Sequence, residues 1–124
     1  MTNLGQKKKT SRFKSKEHLN WVRQLGCSVQ CGECNGPIQA HHLMKPWDGG
    51  RGMGMKANDK NVIPLCFLHH HLLHAKFGDE YKFFESYVDD SEYGKKLAQT
   101  LFEQSCWVNN PVFTQFLKEV IYEW

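Results

Sequence analysis

The sequence contains no long hydrophobic run, and this absence excludes one class of protein at once. Crossing a bilayer takes about 20 consecutive apolar residues, and no stretch of the 124 residues approaches that length. No apolar segment follows the charged opening MTNLGQKKKT either, so we expect no secretory signal. Internal repeats are also absent. The sequence therefore predicts a cytoplasmic protein with a modest core and no membrane partner.

Acidic residues are missing from the first 16 positions, which carry six bases. Residues 17–78 contain six bases and four acids, whereas residues 79–124 contain four bases and nine acids. This division suits a polyanion that approaches from one side. The alternative is that the basic tail only aids solubility. The pattern predicts a basic flexible arm at residues 1–14 and a single domain at residues 15–124.

The five cysteines are an odd number, and a Cys-x-x-Cys pair near histidines predicts metal binding before disulfide bonding. Cys31 and Cys34 lie on a predicted tight turn, and Cys66 with His69 opens a predicted helix. Together they predict a tetrahedral Cys3His site for a structural Zn²⁺ ion. Cys27 is a rival ligand, four residues before Cys31. The alternative is a set of ordinary buried cysteines beside a surface histidine.

Six of the seven histidines lie between residues 41 and 74. His70 and His74 are four positions apart on a predicted helix, so they share one face and can bind the same ion. His41 and His42 are adjacent on a predicted strand and point opposite ways, which gives one ligand and one free imidazole. A metal ion with a base beside it suits hydrolysis of a phosphate ester. The alternative is an unused surface cluster or extra ligands for one structural zinc.

Hydrophobic periodicity and breaker residues predict two short strands and several helices. Ser15 caps the first helix and Gly26 ends it, while Gly78 breaks the second. The predicted segments are a helix at residues 15–25, strands at 38–43 and 61–65, and helices at 69–88, 91–104 and from 110 onward.

Some histidine, cysteine and tryptophan residues are not assigned to either predicted metal site. His18 and His71 are predicted to be bystanders on surface faces, and Cys106 to be a small core residue. Trp47 is predicted either to stack on a nucleic-acid base or to cover the core.

Asn61 precedes His70 by nine positions, and the two metal-binding turns flank His41 and His42. This pattern resembles the HNH nucleases, which have the ββα-metal fold, also called the His-Me finger. The resemblance covers residues 31–74. Its extension to residue 79 is similar to the RecA-dependent Ref-type group of phage HNH nucleases.

The resemblance implies an α+β fold with a zinc-stapled ββα-metal core at about residues 27–79 and additional N- and C-terminal helices. Two features depart from the family pattern. His69 stands where many members have Cys, and the segment between His42 and Asn61 holds 18 residues with a glycine-rich stretch at residues 49–54.

The resemblance also assigns roles to single residues. His42 matches the general base, and Asn61 matches the residue that holds the loop and orients that base. His41, His70 and His74 match the ligands of the catalytic ion. Mg²⁺ or Mn²⁺ is typical of the family, and three imidazoles also suit Zn²⁺ or Ni²⁺.

A phosphodiesterase needs cations that hold the nucleic-acid backbone, and four bases lie between His42 and Asn61. We predict the glycine-rich loop as a nucleic-acid contact; the alternative is a solvated connection. The candidate contacts are Lys45, Arg51, Lys56 and Lys60.

The function implied by the resemblance is metal-dependent endonucleolytic hydrolysis of DNA, in phage recombination or DNA processing, inside a bacterial or phage-infected host cell. DNA is the expected partner, and a RecA-type recombinase filament is a candidate second partner. The alternative is a non-catalytic, zinc-stabilised module that binds nucleic acid or a recombinase. A zinc deaminase is a poorer match, because no His-x-Glu signature surrounds any histidine.

Overall fold

The computed structural model describes residues 13–50 and 56–108. Most of the predicted basic arm, the glycine-rich loop from Arg51 to residue 55, and the helix predicted from residue 110 lie outside the described residues. The elements, in chain order, are α1 (Lys16–Arg23), β1 (Ile38–His42), β2 (Val62–Cys66), α2 (Phe67–Leu72) with a π-helical continuation (Leu73–Phe77), α3 (Glu80–Val88) and α4 (Tyr93–Val108).

A two-stranded antiparallel sheet lies at the centre of the described part of the chain. β1 pairs with β2 so that His41 faces Ile63 and His42 faces Val62. Every residue of β2 is buried, because helices α1, α2 and α4 all pack against it. The mixed α/β class and both strands predicted from the sequence are confirmed.

Helix α1 begins as predicted and ends earlier. The Ser15 hydroxyl accepts a hydrogen bond from His18 N at 3.1 Å and so caps the helix. The helix ends at Arg23, because Gln24 N and Leu25 N donate to the carbonyls of residues three positions back. The prediction that the helix runs to residue 25 and stops at Gly26 is therefore wrong by two residues.

The break predicted at Gly78 is confirmed. Gly78 adopts a left-handed conformation with φ of 67°, and its N–H donates to Leu73 O at 2.6 Å, which closes the π-helical turn. Asp79 then caps α3 by accepting from Tyr81 N at 2.9 Å. The chain can thus reverse direction between α2 and α3, which brings the start of α3 back to the sheet.

The core lies between the sheet and helices α2 to α4. Its largest fully buried side chains are aromatic residues of α3 and aliphatic residues of β2, of the position after β1 and of the π-helical turn, among them Phe83, Phe84, Leu43, Ile63, Leu65 and Leu73. None of the helices in residues 13–50 and 56–108 is long and apolar enough to cross a membrane.

Two predictions about isolated residues are wrong. His18 is only 2% exposed, because Trp21 and Phe102 pack against its ring at centroid distances of 6.2 and 5.4 Å. Cys106 is exposed on α4 and not part of the core. His71 is exposed as predicted. Trp47 packs against the core and donates from Nε1 to Lys60 O at 2.9 Å, which agrees with a covering role.

Candidate metal centres

Three cysteine sulfurs surround one nitrogen of the buried His69. The Sγ atoms of Cys27 and Cys34 each lie 3.7 Å from His69 Nδ1, and Cys66 Sγ lies 3.2 Å from it. These four ligand atoms all lie within 4.8 Å of one another, so the group can hold a metal ion. A Cys3His donor set is typical of a structural zinc site. We call this group the sulfur cluster.

The sulfur cluster differs from the predicted ligand set at one position. Cys31 Sγ lies 3.2 Å from His69 Nε2, the other ring nitrogen. Cys31 is therefore on the wrong side of the imidazole for an ion that binds Nδ1. Cys27, the rival ligand in the sequence, occupies its place. The presence of a Cys3His cluster is confirmed, and the structure favours Cys27 over Cys31 as its third cysteine.

The thiols of the sulfur cluster need a cation before they can all ionise. Although Cys34 is an exposed residue, the partial desolvation of its sulfur, together with the thiols of Cys27 and Cys66, raises its pKa to about 12. Burial also opposes ionisation of Cys66, but hydrogen bonds from His69 and Asn35 outweigh it and lower its pKa to about 6. Cys66 is thus ionised near neutral pH and Cys34 is not. A bound divalent cation would cause the Cys34 thiol to ionise as well.

A second cluster joins β1 to α2 and the π-helical turn. His41 Nδ1 lies 3.1 Å from His70 Nε2, and the ring of His74 packs against both at centroid distances of 5.5 and 4.9 Å. One nitrogen from each of the three rings falls within 4.8 Å of the others. The structure therefore brings together the three histidines predicted as ligands of the catalytic ion. We call this group the histidine cluster.

Two acceptors fix the proton positions in the histidine cluster. Glu80 Oε2 lies 2.7 Å from His41 Nε2, and Gln39 Oε1 lies 2.5 Å from His70 Nδ1. Because each oxygen only accepts, His41 Nε2 and His70 Nδ1 carry the protons. When both rings are neutral, the two nitrogens that face each other at 3.1 Å, His41 Nδ1 and His70 Nε2, therefore both present lone pairs. That donor arrangement fits a cation between them.

We expect the free energy of unfolding to decrease as the pH falls through the range from 6.5 to about 4. Burial, then the charges of His41 and His74, lower the pKa of His70 from 6.5 to about 4. Within this range the unfolded chain binds a proton at His70 that the folded chain does not, so acid favours unfolding. A metal ion on His70 would also make the free energy of unfolding decrease as the pH falls, because the ion binds only the neutral ring.

Urea unfolding across this pH range, with and without a mild chelator, measures the effect. The matched variant His70→Gln should show a smaller pH dependence. It should keep part of the dependence, because burial and His41 also lower the pKa of His74. An unchanged pH dependence in His70→Gln would contradict the lowered pKa of His70.

A cleft of about 320 Å³ opens beside the histidine cluster, and His42 and Lys56 line it together with that cluster. The two adjacent histidines contact different partners. His41 is 3% exposed and belongs to the cluster, whereas His42 places Nε2 at 2.8 Å from Asp59 Oδ1. A molecule in the cleft would therefore meet both the nitrogens that could hold a metal ion and the imidazole of His42.

Asn61 organises the loop between the two strands. Its buried amide accepts from Trp47 N at 2.8 Å and Asp48 N at 3.1 Å, and it donates to Asp48 O at 3.0 Å. Its backbone carbonyl accepts from Leu43 N at 2.8 Å, next to His42. The amide thus fixes the chain that follows His42, which agrees with the loop-holding role implied by the resemblance.

Three of the four predicted nucleic-acid contacts belong to the described residues. Lys56 is exposed and lines the cleft. Lys45 Nζ lies 3.7 Å from Asp79 Oδ1, and Lys60 Nζ lies 3.9 Å from Asp48 Oδ2. Both pairs are partly exposed, so solvent screens them and either lysine can exchange its partner for a phosphate at small cost.

Sequence reasoning missed the acceptors around the histidines. Glu80 is 3% exposed and accepts from Met44 N at 2.6 Å and Lys45 N at 2.9 Å in addition to its contact with His41. Asp59 and Gln39 were not predicted from the sequence either. None of these acidic or amide residues lies at a motif spacing. The position of Glu80, two residues after the break at Gly78, was its only available signal.

Fold and site together define a small mixed α/β protein in which helix α2 supplies His69 to a sulfur cluster and His70 to a histidine cluster. The chain belongs to the family described as "Protein of unknown function (DUF968)", whose profile matches residues 4–104. It is also similar to the "Uncharacterized protein YdfU" of Escherichia coli (strain K12), at 32% identity over 89 residues. That match covers 65% of this chain, and the chain spans only 24% of the relative. No solved structure matches the chain.

Proposed function

We propose that this protein is a metal-dependent endonuclease of the HNH type that hydrolyses phosphodiester bonds of DNA. The proposal combines the resemblance in residues 31–74 with the positions of the histidines around one cleft. β1, β2 and α2 follow one another as two antiparallel strands and a helix, which is the element order of a ββα-metal core. In this proposal the ion of the sulfur cluster is a structural Zn²⁺.

The observation that carries the proposal is the pair of facing nitrogens in the histidine cluster. His41 Nδ1 and His70 Nε2 lie 3.1 Å apart, and when both rings are neutral each presents a lone pair, because Glu80 and Gln39 accept from the outer nitrogens. The pKa of His70 is lowered to about 4, so this ring is neutral near pH 7. A divalent cation is the partner that suits three such nitrogens.

Each side chain has a defined task in the proposed reaction. His41, His70 and His74 would hold a divalent ion, which would polarise the phosphate and offset the charge on the leaving 3′ oxygen. His42 accepts the proton of the attacking water, a role that suits the intrinsic pKa of histidine. Asn61 keeps the loop after His42 fixed, so that the imidazole stays aligned with the scissile phosphate.

The proposed DNA contacts are cationic and independent of sequence. Lys56 stands on the cleft itself, and Lys45 lies near it beside Glu80. The six bases of residues 1–16 would add affinity that depends on salt concentration. Contacts of this type hold the phosphate backbone and do not read bases. We therefore propose weak sequence preference and increasing dissociation as salt is raised.

A plasmid-nicking assay tests this proposal. Zinc-loaded wild-type protein is incubated with supercoiled, linear and single-stranded DNA in the presence of Mg²⁺, Mn²⁺, Zn²⁺ or Ni²⁺, with and without a RecA-type filament. We expect cleavage that requires the added ion, stops with chelator and is lost in His70→Ala. The matched control His71→Ala alters an exposed neighbour on the same helix and should cleave normally. DNA binding without cleavage under every condition would favour the non-catalytic module.

A further inference from the structure

Asp59 lies against the proposed base and also against the start of α1. Its Oδ1 is 2.8 Å from His42 Nε2, and its Oδ2 accepts from Ser15 N at 2.9 Å. The residue is 6% exposed, and its own N–H donates to Phe13 O at 3.1 Å. These contacts fix the carboxylate from both of its oxygens and from the backbone. A carboxylate fixed in this way can set the orientation of the ring beside it.

We propose that Asp59 is the positioning residue of His42 and determines which of its nitrogens is basic. This inference rests on the proposed function. A carboxylate only accepts hydrogen bonds, so the proton of neutral His42 lies on Nε2, next to Asp59. Nδ1 then carries the lone pair and is the atom that takes the proton from water. Asp59 also stabilises the imidazolium that forms when Nδ1 accepts that proton.

The position of Asp59 in the chain supports this role. Asn58 and Asn61 close the turn that contains Asp59, with Asn61 N donating to Asn58 O at 3.0 Å. The same turn is anchored by the Asn61 amide, which donates to Asn58 Oδ1 at 2.9 Å. Asn61 therefore holds both the loop after His42 and the turn that presents Asp59 to it. Asn61 thus influences the orientation of the His42 ring through the turn that carries Asp59.

The contact with Ser15 makes Asp59→Asn an informative change. The asparagine oxygen must face Ser15 N, because the opposite orientation would place the NH2 group against that N–H donor. The NH2 group then points at His42 Nε2 and donates to it. His42 is thereby forced into the tautomer that carries its proton on Nδ1, the atom proposed as the base. The substitution keeps the shape of Asp59 and inverts the tautomer of His42.

Two measurements on the zinc-loaded, full-length protein in Mg²⁺ test the inference. Long-range ¹H–¹⁵N NMR spectra identify the protonated nitrogen of His42, and nicking assays separate kcat from KM. We expect the Nε2–H tautomer in wild type and the Nδ1–H tautomer in Asp59→Asn. We also expect kcat to fall about a hundredfold or more with KM for DNA little changed. Asp90→Asn, a control that changes a partly exposed acid to an amide, should behave as wild type in both.

The two readouts separate this inference from the proposed function. If Asp59→Asn keeps the Nε2–H tautomer and wild-type kcat, Asp59 is only a structural partner of α1 and the inference is overturned. If Asp59→Asn does not fold, the tautomer in wild type still decides, because an Nδ1–H tautomer there would contradict the inference. If wild type shows the Nε2–H tautomer but no cleavage of any DNA, the positioning contact stands and the proposed function fails.

Discussion

Replacing Cys34 with alanine should release the ion of the sulfur cluster and leave the chain unfolded or aggregated at ambient temperature. Cys34 is exposed, and it makes few other contacts, so its packing contributes little. Structural Zn²⁺ binding contributes about 10–16 kcal/mol to folding in small domains. That is comparable to the whole stability of a domain, which is usually about 5–15 kcal/mol. Circular dichroism and metal analysis of the purified protein measure the result.

The other cysteines supply matched controls for this prediction. Cys106→Ala changes an exposed thiol on α4, outside the cluster, and should retain both metal and thermal stability. Cys27→Ala should lose the ion, whereas Cys31→Ala should keep it, because Cys31 lies beside the other nitrogen of His69. If Cys31→Ala lost the ion and Cys27→Ala kept it, Cys31 would be the third cysteine ligand in place of Cys27. Equal thermal stability of Cys34→Ala and wild type would contradict a structural ion in this cluster.

Replacing His42 with alanine should lower the rate of DNA nicking by about 10²- to 10⁴-fold, the usual contribution of a general base. Folding and metal content should be unchanged, because His42 is partly exposed and lies outside both clusters. The measurement is the initial nicking rate in Mn²⁺, with thermal unfolding and metal analysis on the same preparation.

His71→Ala is the matched control for His42→Ala, since it removes an imidazole that is exposed and stacked on Phe67. It should nick DNA at the wild-type rate. Undiminished nicking by His42→Ala would show that another group takes the proton. A loss of metal in His42→Ala would place His42 among the ligands and leave the proposed base without support.

Local spacing was sufficient to predict much of the fold and which histidines come together. His70 and His74 converge because residues four apart share a helix face, and His41 separates from His42 because strand side chains alternate. Gly78 breaks the helix because it adopts a positive φ at low cost. In each case the signal and the structure it specifies lie within a few residues of each other, so one sequence carries the information.

The parts that sequence could not predict depend on contacts between distant residues. The Cys-x-x-Cys spacing with Cys34 favours Cys31 in the sequence, and only the side of the His69 ring that each cysteine reaches favours Cys27. His18 is buried because Phe102, from α4, packs on it. Glu80 reaches His41 across 39 positions of sequence. No local pattern encodes such contacts, because they depend on how whole helices pack on the sheet.

The central claim is that one helix carries two metal sites with different tasks, a structural site on His69 and a catalytic site on His70. Native mass spectrometry of the protein purified with Zn²⁺ and then supplied with Mn²⁺ tests this claim most directly. We predict two ions per chain in wild type and one in a His70→Ala, His74→Ala double variant that remains folded. A single ion per chain in wild type, retained in full by that variant, would contradict the claim.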